Sequence, residues 1–277
     1  MEPVVIINGE EKSNISIFNR NMQYGDGLFE TCVAKDNKIL FWESHVARLK
    51  NGCERLNIKK IANSVWLEDI KKALSLSSEK DCIIKLILSR GNSLRGYSYS
   101  EDIEPVRVVI ASQISEYKTQ DSFSLEYASC GFHSNPNLAG IKHCNRLEQI
   151  MARTNMLADE AIMLDENKSI ISVTQGNIYF IFGNKLVTPK LERCGVMGSR
   201  RSIILELSRI INLEVDEDTI SIEQVEKANE VFVSNSLIGI QPVTSIGSYN
   251  LNNNPLTKEI KAAFKSTTQD IKSWTCL

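Results

Sequence analysis

Apolar residues in the first part of the chain form short runs that alternate with two stretches of helical spacing. Ser44 precedes one such stretch, and the second covers about Val65–Leu76. The short runs are rich in β-branched residues and predict strands at Val4–Ile7, Leu28–Val33, Ile39–Phe41, Ile83–Leu88 and Val106–Ile110. Asp36 and Asn37 form the turn of a predicted hairpin between two of these runs. We expect the last two strands to be central and covered on both faces.

A polar segment without periodicity, residues 117–122, is predicted to link this part to a strand-rich second part. The strands predicted there are Phe123–Ala128, Ala161–Leu164, Ile170–Val173, Ile178–Phe182, Leu186–Val187 and Val231–Ser234. The predicted helices are Leu147–Ala158, Ser199–Ile211 and Leu256–Phe264. Because strands and helices do not alternate strictly, the sequence favours an α+β fold, with a small N-terminal domain (1–116) and a larger C-terminal domain (123–277).

Composition narrows the class of protein. The 277 residues are 42% hydrophobic and 24% charged, which is typical of a globular chain, and the net charge of -2 argues against a nucleic-acid partner. The longest apolar run, Cys82–Leu88, is interrupted by Lys85 and is too short for a membrane span. The seven scattered cysteines contain no Cys-x-x-Cys pair, and no secretory leader precedes them, so we expect a reduced, cytoplasmic protein acting on a small molecule.

Lys142 lies in a stretch of small and apolar residues, Asn137–Asn145, which would lower the pKa of its amine and favour a nucleophile. Most lysines are solvated surface charges, so spacing alone does not select it. Four metal-ligand residue types also fall near it: Cys130, His133, His143 and Cys144. Their spacings match no common zinc pattern, and we expect no metal.

Two glycine-containing segments could present backbone N–H groups to an anion. Gly195–Ser199 is the better candidate, because a helix is predicted to start at about Ser199 and a helix N-terminus favours phosphate. Gly91–Gly96 is the other, and neither fits a nucleotide-binding motif. An ordinary loop that enters a helix explains Gly195–Ser199 equally well.

Taken together, several segments of the chain resemble the branched-chain and D-amino-acid aminotransferase superfamily, whose members bind pyridoxal phosphate in the type IV fold. The matching blocks, in the family order, are Tyr24–Thr31, His45–Leu49, Ser89–Ser98, Asn135–Gln149, Asp159–Asp165 and Asn235–Val243. The block around Lys142 is the most specific, because its Asn-Pro-x-Leu-Ala-Gly-Ile-Lys-His-x-Asn-Arg-Leu-Glu-Gln pattern separates the lyases that act on 4-amino-4-deoxychorismate from the aminotransferases.

The resemblance implies roles for several residues at the cofactor. Lys142 would bind pyridoxal phosphate covalently through its amine and then carry a proton. Arg48 would bind the cofactor phosphate, together with the N–H groups of Val196 and Met197 and the hydroxyl of Ser236. The phosphate role at the helix entrance agrees with the reading of Gly195–Ser199 from the residues themselves.

A second set of residues is implied at the substrate. Arg95 and Tyr97 match the positions that meet a substrate carboxylate, for which the guanidinium fork is suited. Tyr24, Asn145 and Arg146 belong to the same lyase-like blocks and are expected near the substrate. A solvated loop charge at Arg95, and packing at a helix start for the last two residues, are the alternatives.

One position departs from the family pattern. Ser172 stands where the family has a glutamate that bonds the protonated pyridine nitrogen of the cofactor. A carboxylate keeps that nitrogen charged, whereas a hydroxyl cannot. Either the ring nitrogen stays neutral and the chemistry tolerates this, or the activity has been lost or changed.

The resemblance implies a homodimeric two-domain enzyme, with the cofactor between its domains, that converts 4-amino-4-deoxychorismate to 4-aminobenzoate and pyruvate for folate biosynthesis. A D-amino-acid or branched-chain aminotransferase is the alternative enzyme. An inactive cofactor-binding homologue is the alternative from another class, and it is motivated by Ser172.

Overall fold

A computed structural model describes residues 2–114, 120–251 and 253–277. The chain divides into two compact units. The first comprises Met1–Lys118, Ile141–Asn145 and Ile271–Leu277, and the second comprises Thr119–Gly140 and Arg146–Asp270. The predicted linker, 117–122, lies partly outside the described residues.

The first unit is built on a seven-stranded antiparallel sheet. Its strands, in sheet order, are β17 (Trp274–Cys276), β4 (Lys38–Leu40), β3 (Gly27–Lys35), β5 (Asp81–Ser89), β6 (Val106–Gln113), β1 (Val4–Ile7) and β2 (Glu10–Glu11). Its helices are α1 (Arg20–Tyr24), α2 (Trp42–Leu56) and α3 (Asn63–Leu76). The C-terminal strand β17 pairs with β4, a contact that the sequence did not predict.

Local sequence explains much of this sheet. Asp36 and Asn37 both have positive φ, 46° and 57°, as the tight turn of the predicted hairpin requires, and both residue types tolerate it. The helix predicted after Ser44 begins two residues earlier, at Trp42. The expectation that β5 is covered on both faces is wrong for this chain. Its residues alternate between buried and partly exposed positions, with Lys85 on the open side.

The second unit contains a ten-stranded mixed sheet. Its strands, along the main path, are β12 (Glu214–Asp218), β11 (Lys185–Pro189), β10 (Asn177–Phe182), β14 (Glu230–Asn235), β15 (Gly239–Ile246), β7 (Phe123–Tyr127), β8 (Glu160–Leu164), β9 (Ser169–Val173) and β13 (Ile220–Ser221), and β16 (Tyr249–Asn250) pairs with β15. Its helices are α4 (Leu147–Ala152), α5 (Arg201–Ile210), α6 (Ile222–Val225) and α7 (Pro255–Gln269). Ile178, Phe180, Val231 and Val233 are at the centre of its core.

The helix predicted over Leu147–Ala158 ends at Ala152. Asn155 takes a left-handed φ of 63°, which stops the helical path, and the Glu126 carboxylate accepts the N–H groups of Leu157 and Ala158. The apolar side chains that predicted one buried helix face are instead exposed: Leu147 (72%), Ile150 (61%), Met151 (58%) and Leu157 (96%).

Helix length in the described ranges bears on membrane insertion. The longest helices there, α2 and α7, have 15 residues each. No helix in those ranges is both long and apolar enough to cross a bilayer.

Candidate active site

Lys142 lies in the short segment Ile141–Asn145, which runs beside the start of β3. The Phe29 N–H donates to the Lys142 carbonyl at 3.0 Å, and the Cys144 N–H donates to the Gly27 carbonyl at 2.9 Å. The Lys142 amine lies 4.3 Å from the centroid of the Phe29 ring. Because both backbone bonds are fixed to a strand, the direction in which the lysine side chain leaves the backbone is fixed as well.

The chain just before Lys142 is fixed by a different loop. Gly140, with φ of 81°, donates its N–H to the Gly195 carbonyl and accepts the Met197 N–H, both at 3.0 Å. The Val196 carbonyl accepts from the Asn177 side-chain amide at 3.0 Å. Gly195 has φ of 84°, and a Cβ there would approach Ile171 to 2.8 Å, so both conformation and space favour glycine.

This arrangement changes the reading of the helix entrance. The Met197 N–H, which the sequence analysis assigns to phosphate, donates to Gly140 instead. The N–H of Ser199, just before α5, makes no hydrogen bond within the described ranges of the chain. Ser199 is buried, and a helix entrance attracts anions, so its N–H is the candidate phosphate donor within the predicted segment Gly195–Ser199.

Arg48 belongs to a buried group of three charged or titratable side chains. Its Nε and Nη2 donate to the two carboxylate oxygens of Glu30, at 2.7 and 2.6 Å. His45 Nδ1 lies 2.6 Å from Glu30 Oε2, and the carboxylate assigns the ring proton to that nitrogen. Burial opposes ionisation of Glu30, but Arg48 and His45 outweigh it and lower its pKa to about 2. The pair holds the Arg48 guanidinium in one orientation, with a tenth of its side chain exposed.

The predicted substrate residues of the first unit lie on one loop and its neighbours. The Gly96 N–H donates to the Tyr24 hydroxyl at 3.0 Å, and the Tyr24 and Tyr97 rings meet edge to face at 5.6 Å. Tyr97 is 85% exposed. Arg95 is exposed and makes no hydrogen bond or ion pair within the residues that the structure describes. Arg95 and Tyr97 are therefore exposed, whereas Tyr24 is half-buried beside them.

Asn145 and Arg146 have different surroundings. The Asn145 side-chain amide donates to the Gly25 carbonyl at 3.1 Å, and a Cβ on Gly25 would come within 2.6 Å of Asn145. Asn145 therefore supports the turn that follows α1. Arg146 is half-buried at the start of α4, where its carbonyl accepts the Ile150 N–H.

The two predicted serine contacts lie in the second unit. Ser172 is buried in β9, opposite Met163, and its hydroxyl makes no hydrogen bond in the described part of the chain. Ser236 is half-buried in the turn after β14. That turn is held by the Asn235 side-chain oxygen, which accepts the N–H groups of Leu237 and Ile238 at 2.8 and 2.9 Å.

Lys85 is a further candidate that the sequence analysis did not select. It lies on the open side of β5, opposite Thr31 on β3, and its Nζ is 5.6 Å from the Phe29 ring centroid. Lys85 and Lys142 therefore approach the same ring. The signal for it in the sequence is a single charge inside an otherwise apolar strand. Two ammonium groups beside one aromatic ring favour an anionic ligand.

Cys130, His133, His143 and Cys144 have side chains of the kinds that bind metal ions. Among the residues in the described ranges, no group of three or more His, Cys, Asp or Glu side chains is placed to hold a metal ion. The His133 side chain is exposed and lies beside Glu148.

Comparison with known proteins decides the family. The Amino-transferase class IV family matches residues 27–246. The chain belongs to the class IV aminotransferases. It is 30% identical to an aminodeoxychorismate lyase of Vibrio harveyi, over 87% of this chain and 91% of that protein. It is 23% identical to a D-alanine aminotransferase of Bacillus licheniformis, over 95% and 96% of the two chains.

Solved structures agree on the fold. The crystal structure of 4-amino-4-deoxychorismate lyase from Pseudomonas aeruginosa superposes with a TM-score of 0.90 at 30% identity, and the match covers 95% of this chain and 98% of that one. The type IV fold with two α+β domains is thereby confirmed. Class IV aminotransferases are pyridoxal-phosphate enzymes, so this chain is one as well.

The residues fit this cofactor in all but one respect. In the first unit, Lys142 offers an amine and Arg48 a guanidinium of the kind that binds phosphate. In the second unit, the Ser199 N–H offers a backbone donor suited to a phosphate. Ser172 supplies only a hydroxyl, which cannot keep a pyridine nitrogen protonated as a carboxylate would.

The Glu30 carboxylate gives the first testable prediction. Its pKa falls from 4.5 to about 2 on folding, so it stabilises the fold above pH 4.5, and this contribution is lost as the pH falls towards 2. Glu30→Gln should reduce the free energy of unfolding at pH 7 by about 3 kcal/mol, with a difference from the wild type that shrinks as the pH falls below 4.5. Urea unfolding between pH 3 and pH 7 measures both quantities.

Glu43→Gln provides the control for this experiment, because Glu43 is an exposed glutamate on α2, the helix that carries the two partners of Glu30, His45 and Arg48. It should follow the wild-type profile. A Glu30→Gln profile parallel to the wild type over the whole range would contradict the assignment.

Proposed function

We propose that the protein converts 4-amino-4-deoxychorismate to 4-aminobenzoate and pyruvate. The observation that carries the proposal is the Lys142 amine held 4.3 Å from Phe29, within the lyase-like block Asn135–Gln149. The lyase of Vibrio harveyi, 30% identical over most of both chains, supports the same reaction.

Lys142 would perform the proton transfers of this reaction. Bound pyridoxal phosphate withdraws electrons from the carbon that carries the substrate nitrogen. With the substrate bound and its own amine free, Lys142 would accept the proton from that ring carbon. The bond between the ring and the enolpyruvyl oxygen then breaks and the ring becomes aromatic. A proton added to the leaving enolpyruvate completes pyruvate, so one proton is lost and one is gained.

Substrate recognition requires cations, because the substrate carries two carboxylates, one on the ring and one on the enolpyruvyl group. Arg95 is exposed and suited to bidentate pairing, and Tyr97 stands two residues away with its ring exposed. Lys85 approaches the same Phe29 ring as Lys142 and is the candidate for the second carboxylate. The binding of one dianion by Arg95 and Lys85 would favour this substrate over a monocarboxylate amino acid.

Product analysis tests the proposal. The purified protein, loaded with pyridoxal phosphate, is supplied with 4-amino-4-deoxychorismate, and 4-aminobenzoate and pyruvate are quantified over time. We expect equal amounts of the two products, and none from Lys142→Ala. Turnover of D-alanine with 2-oxoglutarate but not of 4-amino-4-deoxychorismate would favour an aminotransferase, the activity of the Bacillus licheniformis relative. The absence of both activities would favour an inactive homologue.

Ser172 gives a prediction about the choice between these reactions. A neutral cofactor ring stabilises negative charge less, and aminotransfer depends on that stabilisation more than a lyase reaction driven by aromatisation. Ser172→Glu should therefore raise D-alanine aminotransferase turnover relative to lyase turnover. Ser172→Gln, of the same size but without the charge, should not. An unchanged ratio in Ser172→Glu would mean that this position does not control the chemistry.

We further propose that the protein is a homodimer. Leu147, Ile150, Met151 and Leu157 expose a large apolar area on α4 and the turn that follows it. Patches of this kind mark interaction sites in proteins that otherwise keep apolar side chains inside. Sedimentation velocity should give the mass of two chains for the wild type and of one chain for Ile150→Asp.

A further inference from the structure

Arg20, on the short helix α1, uses its guanidinium to hold the loop that carries Arg95. The side chain is almost fully buried. Its Nη1 donates to the Ser93 hydroxyl at 2.9 Å and to the carbonyls of Gly96 and Ser98 at 3.0 and 3.3 Å, and its Nη2 donates to the Tyr97 carbonyl at 2.9 Å. Three successive carbonyls of one loop therefore converge on one cation.

Asp26 fixes the guanidinium in turn. Arg20 Nε donates to Asp26 Oδ2 at 2.7 Å, and Arg90 donates to both carboxylate oxygens, at 2.8 and 3.0 Å. Arg90 also donates to the carbonyls of Leu56 and Asn57, at the end of α2, at 2.7 Å each. Burial opposes ionisation of Asp26, but the hydrogen bonds from Arg90 and Arg20 outweigh it and hold its pKa below the ordinary value. The carboxylate thus stays charged between two arginines.

Aromatic rings complete the surroundings of the guanidinium. Arg20 lies 5.2 Å from the Tyr24 ring centroid and 5.5 Å from that of Tyr99. A planar guanidinium can stack on such rings and still use its edge for hydrogen bonds, which an ammonium cannot do. Lysine could therefore keep the charge at this position but not the set of four loop contacts.

The loop itself has few other restraints. Its remaining hydrogen bonds to neighbours include Ser93 N–H to the Phe18 carbonyl and Gly96 N–H to the Tyr24 hydroxyl, both 3.0 Å. Gly96 has φ of 86° with open space around it, so packing does not select its conformation. The Arg20 contacts fall on Tyr97 itself and on residues that flank Arg95 on both sides, Ser93 and Gly96.

We propose that Arg20 is a positioning residue: it sets the backbone of residues 93–98 and so directs Arg95 and Tyr97 towards the substrate. The proposal rests on the proposed function for the identity of that substrate. The contacts of Arg20 with the loop do not depend on the identity of the substrate. Loss of a positioning residue should raise KM, because the substrate contacts become disordered before binding, and should leave kcat nearly unchanged.

The test compares Arg20→Lys and Arg20→Met with Arg107→Met in the cofactor-loaded protein. Arg107 is a matched control, since it is also paired with a buried aspartate of the first unit, Asp69, at 2.6 Å, but does not touch the loop. Hydrogen exchange of peptides covering residues 91–99 should be faster in Arg20→Lys than in the wild type, and unchanged in Arg107→Met. If Arg20→Met does not fold, the comparison is made with Arg20→Lys alone.

Kinetics then test the positioning role. Arg20→Lys should raise KM for 4-amino-4-deoxychorismate by about 10- to 100-fold with retained cofactor affinity, the size expected for lost charged hydrogen bonds. In an Arg95→Ala/Tyr97→Ala background the same change should add less than about threefold, because Arg20 acts through these two side chains. The positioning role would be overturned if Arg20→Lys raised KM as much in that background as in the wild type. An unchanged KM in a folded Arg20→Lys protein would overturn it as well.

The two proposals fail separately. Unchanged exchange of residues 91–99 in folded Arg20→Lys would overturn the inference whatever reaction the protein catalyses. A wild-type protein without lyase turnover would refute the proposed function, and the exchange comparison would still decide whether Arg20 holds the loop.

Discussion

The position of Lys142 depends on backbone hydrogen bonds on both sides of it along the chain. Its carbonyl accepts from Phe29 on β3, and Gly140, two residues earlier, is bonded to Gly195 and Met197. A flexible lysine on a surface loop would sample many positions, and each would have to be restricted at the moment of reaction. Because the backbone on either side of Lys142 is held by hydrogen bonds, only the torsions of its side chain remain free to vary. The other candidate residues can act in the proposed reaction only if the Lys142 amine is held at a fixed position.

Buried charge fixes the next group of contacts. Glu30 accepts from Arg48 and His45, and Asp26 accepts from Arg20 and Arg90. A buried ion pair adds little net stability, because the cost of removing both charges from water offsets their attraction. What such pairs provide here is orientation. In each case the carboxylate holds an arginine for which we propose a role at the site, Arg48 at the cofactor and Arg20 at the loop 93–98.

The sequence predicted the parts of this structure that local chemistry determines. Asp36 and Asn37 encode their hairpin turn, and the family blocks around Lys142 and Arg48 indicate the cofactor chemistry. The overlong helix after Leu147 was predicted because an apolar stripe was read as buried, whereas those side chains are exposed and Asn155 ends the helical path. Strand β17 has three residues and forms only because β4 offers an edge, which no local pattern reveals.

The roles of single N–H groups and cations were harder to predict, because they depend on contacts distant in sequence. The use of the Met197 N–H by Gly140 spans 57 residues, and Arg20 reaches carbonyls more than 70 residues away. The resemblance to the family assigns such positions only by analogy. Lys85 was visible as an interruption in a strand, but its approach to Phe29 follows from the register of β3 with β5.

Borohydride reduction of the cofactor-loaded protein, followed by peptide mapping, tests the central claim that Lys142 carries the cofactor. Lys85 is the matched alternative, because its amine approaches the same Phe29 ring. We expect the pyridoxyl mass on the peptide that contains Lys142 in both the wild type and Lys85→Met, and on no peptide in Lys142→Met. A pyridoxyl mass on the Lys85 peptide, or retention of the label in Lys142→Met, would contradict the account.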